Sequence, residues 1–136
     1  MKDLFIDTSA FLARYLKRDQ LHPRASAAWK KLEKSGNRCL TSNFVLDELF
    51  TLLGRRATYG FAAERARSLL TSRALTVLRP DAEDELRAVT WFEKLAEHQV
   101  SFTDCVSFAL MERHRIACAF AFDRHFADAG FDVWSR

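Results

Sequence analysis

The stretch Leu4-Phe5-Ile6-Asp7-Thr8-Ser9 decides the fold of this 136-residue chain. Its three apolar residues show no alternation, which predicts a short strand that is buried on both faces. The next three residues are of the types that cap the first backbone N–H groups of a helix. A buried strand that passes directly into a helix is typical of a parallel sheet covered by helices.

The same alternation of strand and helix continues along the chain. The predicted strands are residues 4–6, 39–41, 75–78, 118–122 and 131–134. The predicted helices begin near residues 10, 22, 44, 60, 82 and 102, and the third is expected to stop at Gly54. With only four glycines and two prolines, the chain lacks the turn residues of a β-sandwich or small barrel. We therefore expect one α/β domain with a mainly parallel central sheet.

Composition excludes several classes of protein. Hydrophobic residues make up 49% and charged residues 29%, which is an ordinary globular balance and excludes disorder. Three cysteines without paired spacing predict reduced thiols rather than disulfides or zinc ligands. Charges interrupt residues 1–20, which excludes a signal peptide, and no apolar run reaches the length of a membrane span. We expect a cytoplasmic protein.

The charges are divided unevenly along the chain. Residues 1–80 carry 15 Lys and Arg against 7 Asp and Glu, whereas residues 81–136 carry 6 against 11. A basic first part is typical of a surface that meets an anionic partner, although a single domain can show such a split by chance.

Four carboxylates stand where open α/β sheets bind ligands, beyond the carboxyl ends of the strands. Asp7 and Asp123 each end an apolar run. Asp104 stands at the start of a helix, and Glu48 lies about one and a half turns into the helix after the second strand. That helix is apolar almost all round, so one of its two acids, Asp47 or Glu48, is expected to face inward or into a cleft.

Each of these acids also has an ordinary interpretation as a helix cap, a helix-dipole partner, a rim residue or a turn residue. If the strand ends converge, however, the four share one cleft, and their repulsion raises their pKa values unless cations neutralise them. Hard divalent cations such as Mg²⁺ or Mn²⁺ suit a cluster of oxygen ligands. Carboxylate-held metal pairs commonly hydrolyse phosphodiesters, with one ion activating water and the other stabilising the leaving oxygen.

Four motifs that contain these acids carry a resemblance to a known family. They are Ile6-Asp7-Thr8-Ser9, Leu46-Asp47-Glu48-Leu49, Phe102-Thr103-Asp104-Cys105 and Phe122-Asp123-Arg124-His125-Phe126. In this order and spacing the chain resembles a PIN-domain ribonuclease, specifically a VapC-type toxin of a type II toxin–antitoxin system. The resemblance extends from Leu4 to about Val133. It implies a single PIN-like nuclease domain over residues 1–136, folded as a three-layer α/β/α sandwich.

The resemblance also assigns roles to residues. The implied catalytic and metal-binding residues are Asp7, Glu48, Asp104 and Asp123, which would hold one or two Mg²⁺ or Mn²⁺ ions. Thr8 or Ser9 would orient Asp7 or a metal-bound water. The family often has Thr or Ser two residues before its last aspartate. Ala121 stands there in this chain, which leaves open whether Asp123 holds metal as firmly as the other acids.

By the same resemblance, the protein would be a metal-dependent endoribonuclease that cleaves structured RNA (tRNA, rRNA or mRNA) with metal-activated water. A cognate VapB-type antitoxin would silence it, and it would form a homodimer. Basic residues are candidates for RNA phosphate contacts, with Arg124 beside the last acid and with Lys17, Arg18, Arg55, Arg56, Arg65 and Arg67 in the first part of the chain. His125 is predicted to be structural, and His22, His98 and His114 to lie on the surface.

Two alternatives stay open at this point. A PIN-fold nuclease of RNA processing or DNA repair, without an antitoxin, would carry the same acids. A degenerate member would bind RNA or a partner without cleaving. A receiver-like acidic pocket is disfavoured, because it requires adjacent acids after the first strand and a lysine after the last, and no lysine follows Lys94.

Overall fold

A computed structural model describes residues 2–134 of the protein. In this part of the chain five strands form one sheet. They are β1 (Asp3–Ile6), β2 (Arg38–Ser42), β3 (Leu75–Leu78), β4 (Cys118–Phe120) and β5 (Asp132–Val133). The strand order is β3-β2-β1-β4-β5 and every pairing is parallel, which confirms the predicted α/β fold class.

Seven α-helices are present in residues 2–134. They are α1 (Thr8–Tyr15), α2 (His22–Ser35), α3 (Asn43–Arg56), α4 (Tyr59–Leu70), α5 (Ala82–Lys94), α6 (Phe102–Arg113) and α7 (His125–Asp128), and a short 3₁₀ helix spans Ala96–His98. The expected caps are in place for α1 and α3, where Asp7 accepts from the Ser9 N–H and Ser42 from the Val45 N–H. These caps fix where each chain segment leaves the sheet, and so where the acids near them lie.

The centre of the sheet is β1, which pairs with β2 on one side and β4 on the other. Its apolar residues Leu4, Phe5 and Ile6 are fully buried, as the unalternating sequence predicts. Burial of each such side chain contributes about 1.5–3 kcal/mol, so β1 anchors the core. Its carboxyl end is therefore a rigid position, and Asp7 stands there.

Several element boundaries differ from the predictions. α3 does not end at Gly54 but continues to Arg56. A Cβ at Gly54 would lie 2.7 Å from the Tyr59 ring, so this glycine serves the close packing of α4 on α3 rather than a helix end. β4 ends at Phe120 instead of residue 122, because the Phe122 N–H bonds to the Ser9 hydroxyl and not to a neighbouring strand. β5 is likewise shorter than predicted.

Helix α5 leaves part of its apolar surface uncovered. Ala88 is fully buried on its inner side. Leu86, Val89 and Phe92 are 69%, 43% and 47% exposed. A row of this kind is unusual on a free surface and is available to a partner.

No helix within the described residues is long and apolar enough to cross a membrane. The three cysteines are free thiols, as predicted.

Candidate functional site

The four predicted site acids come together beyond the carboxyl ends of the central strands. Asp7 directly follows β1 and begins α1, and Asp123 follows β4. Asp104 lies in the first turn of α6, and Glu48 in the second turn of α3. Asp7 and Asp104 are buried, whereas Glu48 and Asp123 are half-buried. The cluster therefore has a closed inner side and an open outer side.

Asp7 is held by the residue two positions after it. Its Oδ2 accepts hydrogen bonds from the Ser9 N–H at 3.2 Å and the Ser9 hydroxyl at 2.6 Å. The same hydroxyl accepts from the Phe122 N–H at 2.9 Å, so Ser9 joins the end of β1 to the segment after β4. Burial raises the pKa of Asp7 well above its usual range, the charges of Asp123 and Asp104 raise it further, and the Ser9 bonds oppose this.

Asp104 takes part in a capping box at the start of α6. The Ser101 hydroxyl accepts from the Asp104 N–H at 3.0 Å, and Asp104 Oδ2 accepts from the Ser101 N–H at 3.3 Å. His125 Nδ1 lies 2.7 Å from the same Oδ2. Burial raises the pKa of Asp104, and the charge of Asp123 adds to this, whereas His125 lowers it. Asp104 therefore belongs both to the capping box of α6 and to the acidic cluster.

His125 belongs to this cluster, although the sequence predicts a structural residue there. Its backbone N–H donates to Asp123 Oδ1 at 3.0 Å. Asp104, Asp123 and His125 each offer one ligand atom, and these atoms lie within 4.8 Å of one another. The contact between the ring and Asp104 joins residues 21 positions apart, so no local sequence pattern marks it.

Glu48, rather than Asp47, is the acid of α3 that faces the cluster. Asp47 is exposed. Burial is the main cause that raises the pKa of Glu48, and the charges of Asp104 and Asp123 add to it. The buried Thr8 hydroxyl has no hydrogen bond of ordinary geometry within residues 2–134, yet it lies near enough to Glu48 to lower that pKa. A polar atom placed in this way fits a role beside a ligand of the cluster.

The cluster has the donor set of a site for a hard divalent cation. Among the residues that the structure describes, no Lys or Arg side-chain nitrogen lies within 4.0 Å of a carboxylate oxygen of the four acids, and His125 alone makes such a contact. One oxygen of each aspartate is held by the protein, namely Oδ2 of Asp7, Oδ2 of Asp104 and Oδ1 of Asp123. Their other oxygens accept no hydrogen bond from residues 2–134. Carboxylate oxygens that the protein leaves free in one cluster fit a hard divalent cation.

The predicted RNA-binding residues divide into two places. Arg124 is exposed beside Asp123. Lys17, Arg18 and Arg56 line a surface cavity of about 460 Å³, where Arg56 also pairs with Asp19 at 3.6 Å. This cavity lies at the far end of α1 from Asp7, about 10 Å away along the helix.

The remaining basic candidates are less uniform. Arg55 and Arg67 are exposed, whereas Arg65 lies over the rings of Tyr15 and Phe61 at 5.9 Å from each centroid. His22 is not the surface residue that was predicted. It is half-buried, and its Nδ1 contacts the Ala13 carbonyl oxygen at 2.9 Å.

Comparison with known proteins identifies a family and individual proteins to which this chain is similar. The PIN domain family matches residues 4–132. The 23S rRNA-specific endonuclease VapC20 of Mycobacterium tuberculosis is 36% identical over 128 residues, which cover 94% of this chain and 95% of VapC20. The crystal structure of VapC20, described as a sarcin–ricin loop cleaving toxin, has a TM-score of 0.86 at 35% identity, over 94% of this chain and 95% of that one.

More distant structures share the fold alone. VapBC2 from Rickettsia felis, bound to a DNA fragment from its promoter, has a TM-score of 0.71 at 12% identity, over 97% of each chain. VapBC-1 from nontypeable Haemophilus influenzae has a TM-score of 0.67 at 12% identity, over 97% of this chain and 96% of that one.

Proposed function

The chain belongs to the PIN-domain family as a VapC-type endonuclease toxin, and on this basis we propose that it cleaves ribosomal RNA in a metal-dependent reaction. The family membership confirms the resemblance drawn from the four acidic motifs. The proposal for ribosomal RNA is supported by the 36% identity to VapC20, a 23S rRNA-specific endonuclease, over nearly the whole of both chains. The observation that carries the proposed chemistry is the convergence of four carboxylates with free oxygens at one edge of the sheet.

We assign the catalytic and metal-binding roles to Asp7, Glu48, Asp104 and Asp123, with one or two Mg²⁺ or Mn²⁺ ions as the cofactor. A bound divalent ion supplies the Lewis acidity that phosphodiester hydrolysis requires. Ser9 fixes the direction of Asp7, and the buried setting of Asp7 and Asp104 limits the screening of their charges by water. Thr8 has its hydroxyl beside Glu48 and is proposed to act on that side of the site.

The proposed partners follow from the toxin assignment. We propose a cognate VapB-type antitoxin, a homodimer, a cytoplasmic location and one nuclease domain over residues 1–136. Support for the antitoxin comes from VapC20, whose structure is described as that of a toxin, and the fold is shared with VapBC complexes. The exposed row of Leu86, Val89 and Phe92 offers a surface for assembly, and the three free thiols are consistent with a reducing compartment.

The test is cleavage of 23S rRNA by the purified protein with Mg²⁺ or Mn²⁺. We expect chelation to abolish cleavage, and we expect Asp7→Asn and Glu48→Gln to lower its rate by at least about 100-fold, because each removes a charged oxygen ligand. Asp47→Asn is the matched control, since it removes the neighbouring carboxylate of the same helix, which is exposed.

The control variant should cleave at the wild-type rate. Cleavage that persists both in chelator and in Asp7→Asn would contradict the metal-dependent mechanism. Metal-dependent cleavage of other RNAs, with 23S rRNA left intact, would overturn the substrate while leaving the mechanism in place.

A further inference from the structure

His125 holds one oxygen from each of two site acids. Its ring nitrogen Nδ1 lies 2.7 Å from Asp104 Oδ2, and its backbone N–H donates to Asp123 Oδ1 at 3.0 Å. We propose that His125 is a positioning residue that turns the free oxygen of Asp104 toward the metal. This inference rests on the proposed metal-dependent function.

The hydrogen-bond chemistry fixes the direction of this contact. An ionised carboxylate can only accept, so with Asp104 ionised the proton of the contact resides on Nδ1. Oδ2 of Asp104 then accepts two bonds, from His125 and from the Ser101 N–H, and Oδ1 is the oxygen left for an ion. The imidazole bond, at 2.7 Å, is much shorter than the capping bond, at 3.3 Å. The histidine is therefore the stronger of the two constraints on the carboxylate.

The packing around this pair makes the constraint effective. The Asp104 side chain is only 9% exposed, and that of His125 is 30% exposed. Asp104 is carried by α6, whereas His125 begins α7 just after β4. The bond thus ties two elements that approach the site from different directions. A ligand carboxylate held by an outer partner of this kind typically loses about 10–100-fold in metal affinity when the partner is removed.

The main-chain part of the arrangement does not depend on the imidazole. The bond to Asp123 comes from the His125 backbone, so any substitution except proline leaves it available. Side-chain variants of His125 therefore keep the main-chain bond while they change the short ring contact to Asp104 and the longer one, of 4.0 Å, to Asp123 Oδ1. Asparagine carries its amide nitrogen at the position of Nδ1 and keeps the donor, whereas leucine is similar in size and removes it.

The experiment measures Mn²⁺ binding to the full chain by electron paramagnetic resonance, together with steady-state RNA cleavage. We expect His125→Leu to bind Mn²⁺ about 10–100-fold more weakly and to lower kcat with little change in KM for RNA. His125→Asn should restore binding close to the wild-type value. His98→Leu is the matched control, because it removes the other histidine–carboxylate contact, to Asp128 at 3.4 Å, outside the cluster.

Three results would overturn the inference while leaving the proposed function in place. Unchanged Mn²⁺ binding in His125→Leu shows that the ring is not needed. Equal weakening in the leucine and asparagine variants shows that the Nδ1 donor is not the cause. A nitrogen coupling from imidazole in the spectrum of wild-type protein with bound Mn²⁺ shows direct ligation instead of positioning. A wild-type chain that binds no Mn²⁺ overturns the proposed function as well, which separates that failure from the others.

Discussion

At the scale of single residues, the site acids work against the stability of the fold. Asp7 is buried, and its charge is repelled by Asp104 and Asp123, which is why its pKa is raised. Without a cation, the folded protein must either hold this charge at a cost in free energy or take up a proton. The proposed catalytic site is thus a locally unfavourable part of the molecule, a common relation between activity and stability.

Replacement of Asp7 by asparagine should therefore stabilise the metal-free protein. Asn keeps the size of the side chain and its ability to cap α1, and it removes the buried charge. We expect Asp7→Asn to melt a few degrees above the wild type in chelator. Millimolar Mn²⁺ should raise the melting temperature of the wild type, because the ion binds only the folded cluster, and should not raise that of the variant.

The control for this prediction is Asp81→Asn, the same change at the exposed cap of α5. It should give no gain in chelator and should keep the response to Mn²⁺. A lower melting temperature of Asp7→Asn in chelator would show that the charge of Asp7 is not a source of strain in the fold.

The sequence predicts the positions of these acids better than the contacts that hold them. Asp7 and Asp123 end apolar runs, and a short local pattern is enough to place them at the edge of a parallel sheet. The ring of His125 reaches Asp104 only because α6 and α7 meet there, and this depends on the order of the strands. Such a contact has no local signal.

At the scale of elements, α5 and α6 are joined by an ion pair between a buried aspartate and a partly exposed arginine. Asp84, in the first turn of α5, is fully buried, and Arg113 of α6 donates two bonds of 2.8 Å to it. The sequence explains Asp84 only as one of several helix-opening acids. Its partner stands 29 positions later on another helix, so the pair follows from helix packing and not from local pattern. The prediction that α3 ends at Gly54 is wrong for the same reason, since this glycine allows close packing against Tyr59 within a helix that continues to Arg56.

This ion pair should appear in the pH dependence of stability. Burial raises the pKa of Asp84, but bonds from the Asp81 backbone and from Arg113 outweigh it, and the pKa lies below the usual 3.8. The unfolded chain is then the first to take up a proton as the pH falls, so stabilisation is complete above about pH 5 and is lost below about pH 4. We expect the free energy of unfolding to fall more steeply in the wild type than in Asp84→Asn as the pH is lowered from about 5 to about 3.

Urea unfolding at a series of pH values measures this difference. Glu83→Gln removes an exposed acid from the same turn of α5 and should follow the wild-type slope. Parallel slopes for Asp84→Asn and the wild type would mean that the pair makes no pH-dependent contribution.

At the scale of the whole molecule, the charge split of the sequence is only partly functional. The acids of the cluster come from both the basic first part and the acidic second part of the chain. Lys17 and Arg18, in contrast, lie together with Arg56 around one cavity. This grouping of cations is what a surface for RNA phosphates requires, and composition alone could not locate it.

Removal of these cations should weaken RNA binding in a salt-dependent manner. We expect Arg18→Gln to lower affinity for all RNAs alike and to reduce the slope of log affinity against log salt by about 0.7 per lost contact with a single strand. Filter binding at several salt concentrations measures this slope. All variants are made in the Asp7→Asn protein, so that the RNA is not cleaved during the measurement. Lys34→Gln on the last turn of α2 is an exposed control, and equal slopes in the two variants would contradict a phosphate contact at Arg18.

The pairing of β1 with β4 also bears on the synthesis of the protein. Asp123 follows Asp7 by 116 positions in the chain, so the two acids are made at different times. The sheet edge that carries the cluster cannot close until β4 has left the ribosome and docked beside β1. At about 5–20 residues per second, this interval lasts on the order of 6–23 seconds. A ribosome that makes this protein is thus not exposed to the complete acid cluster until β4 has been synthesised and has docked.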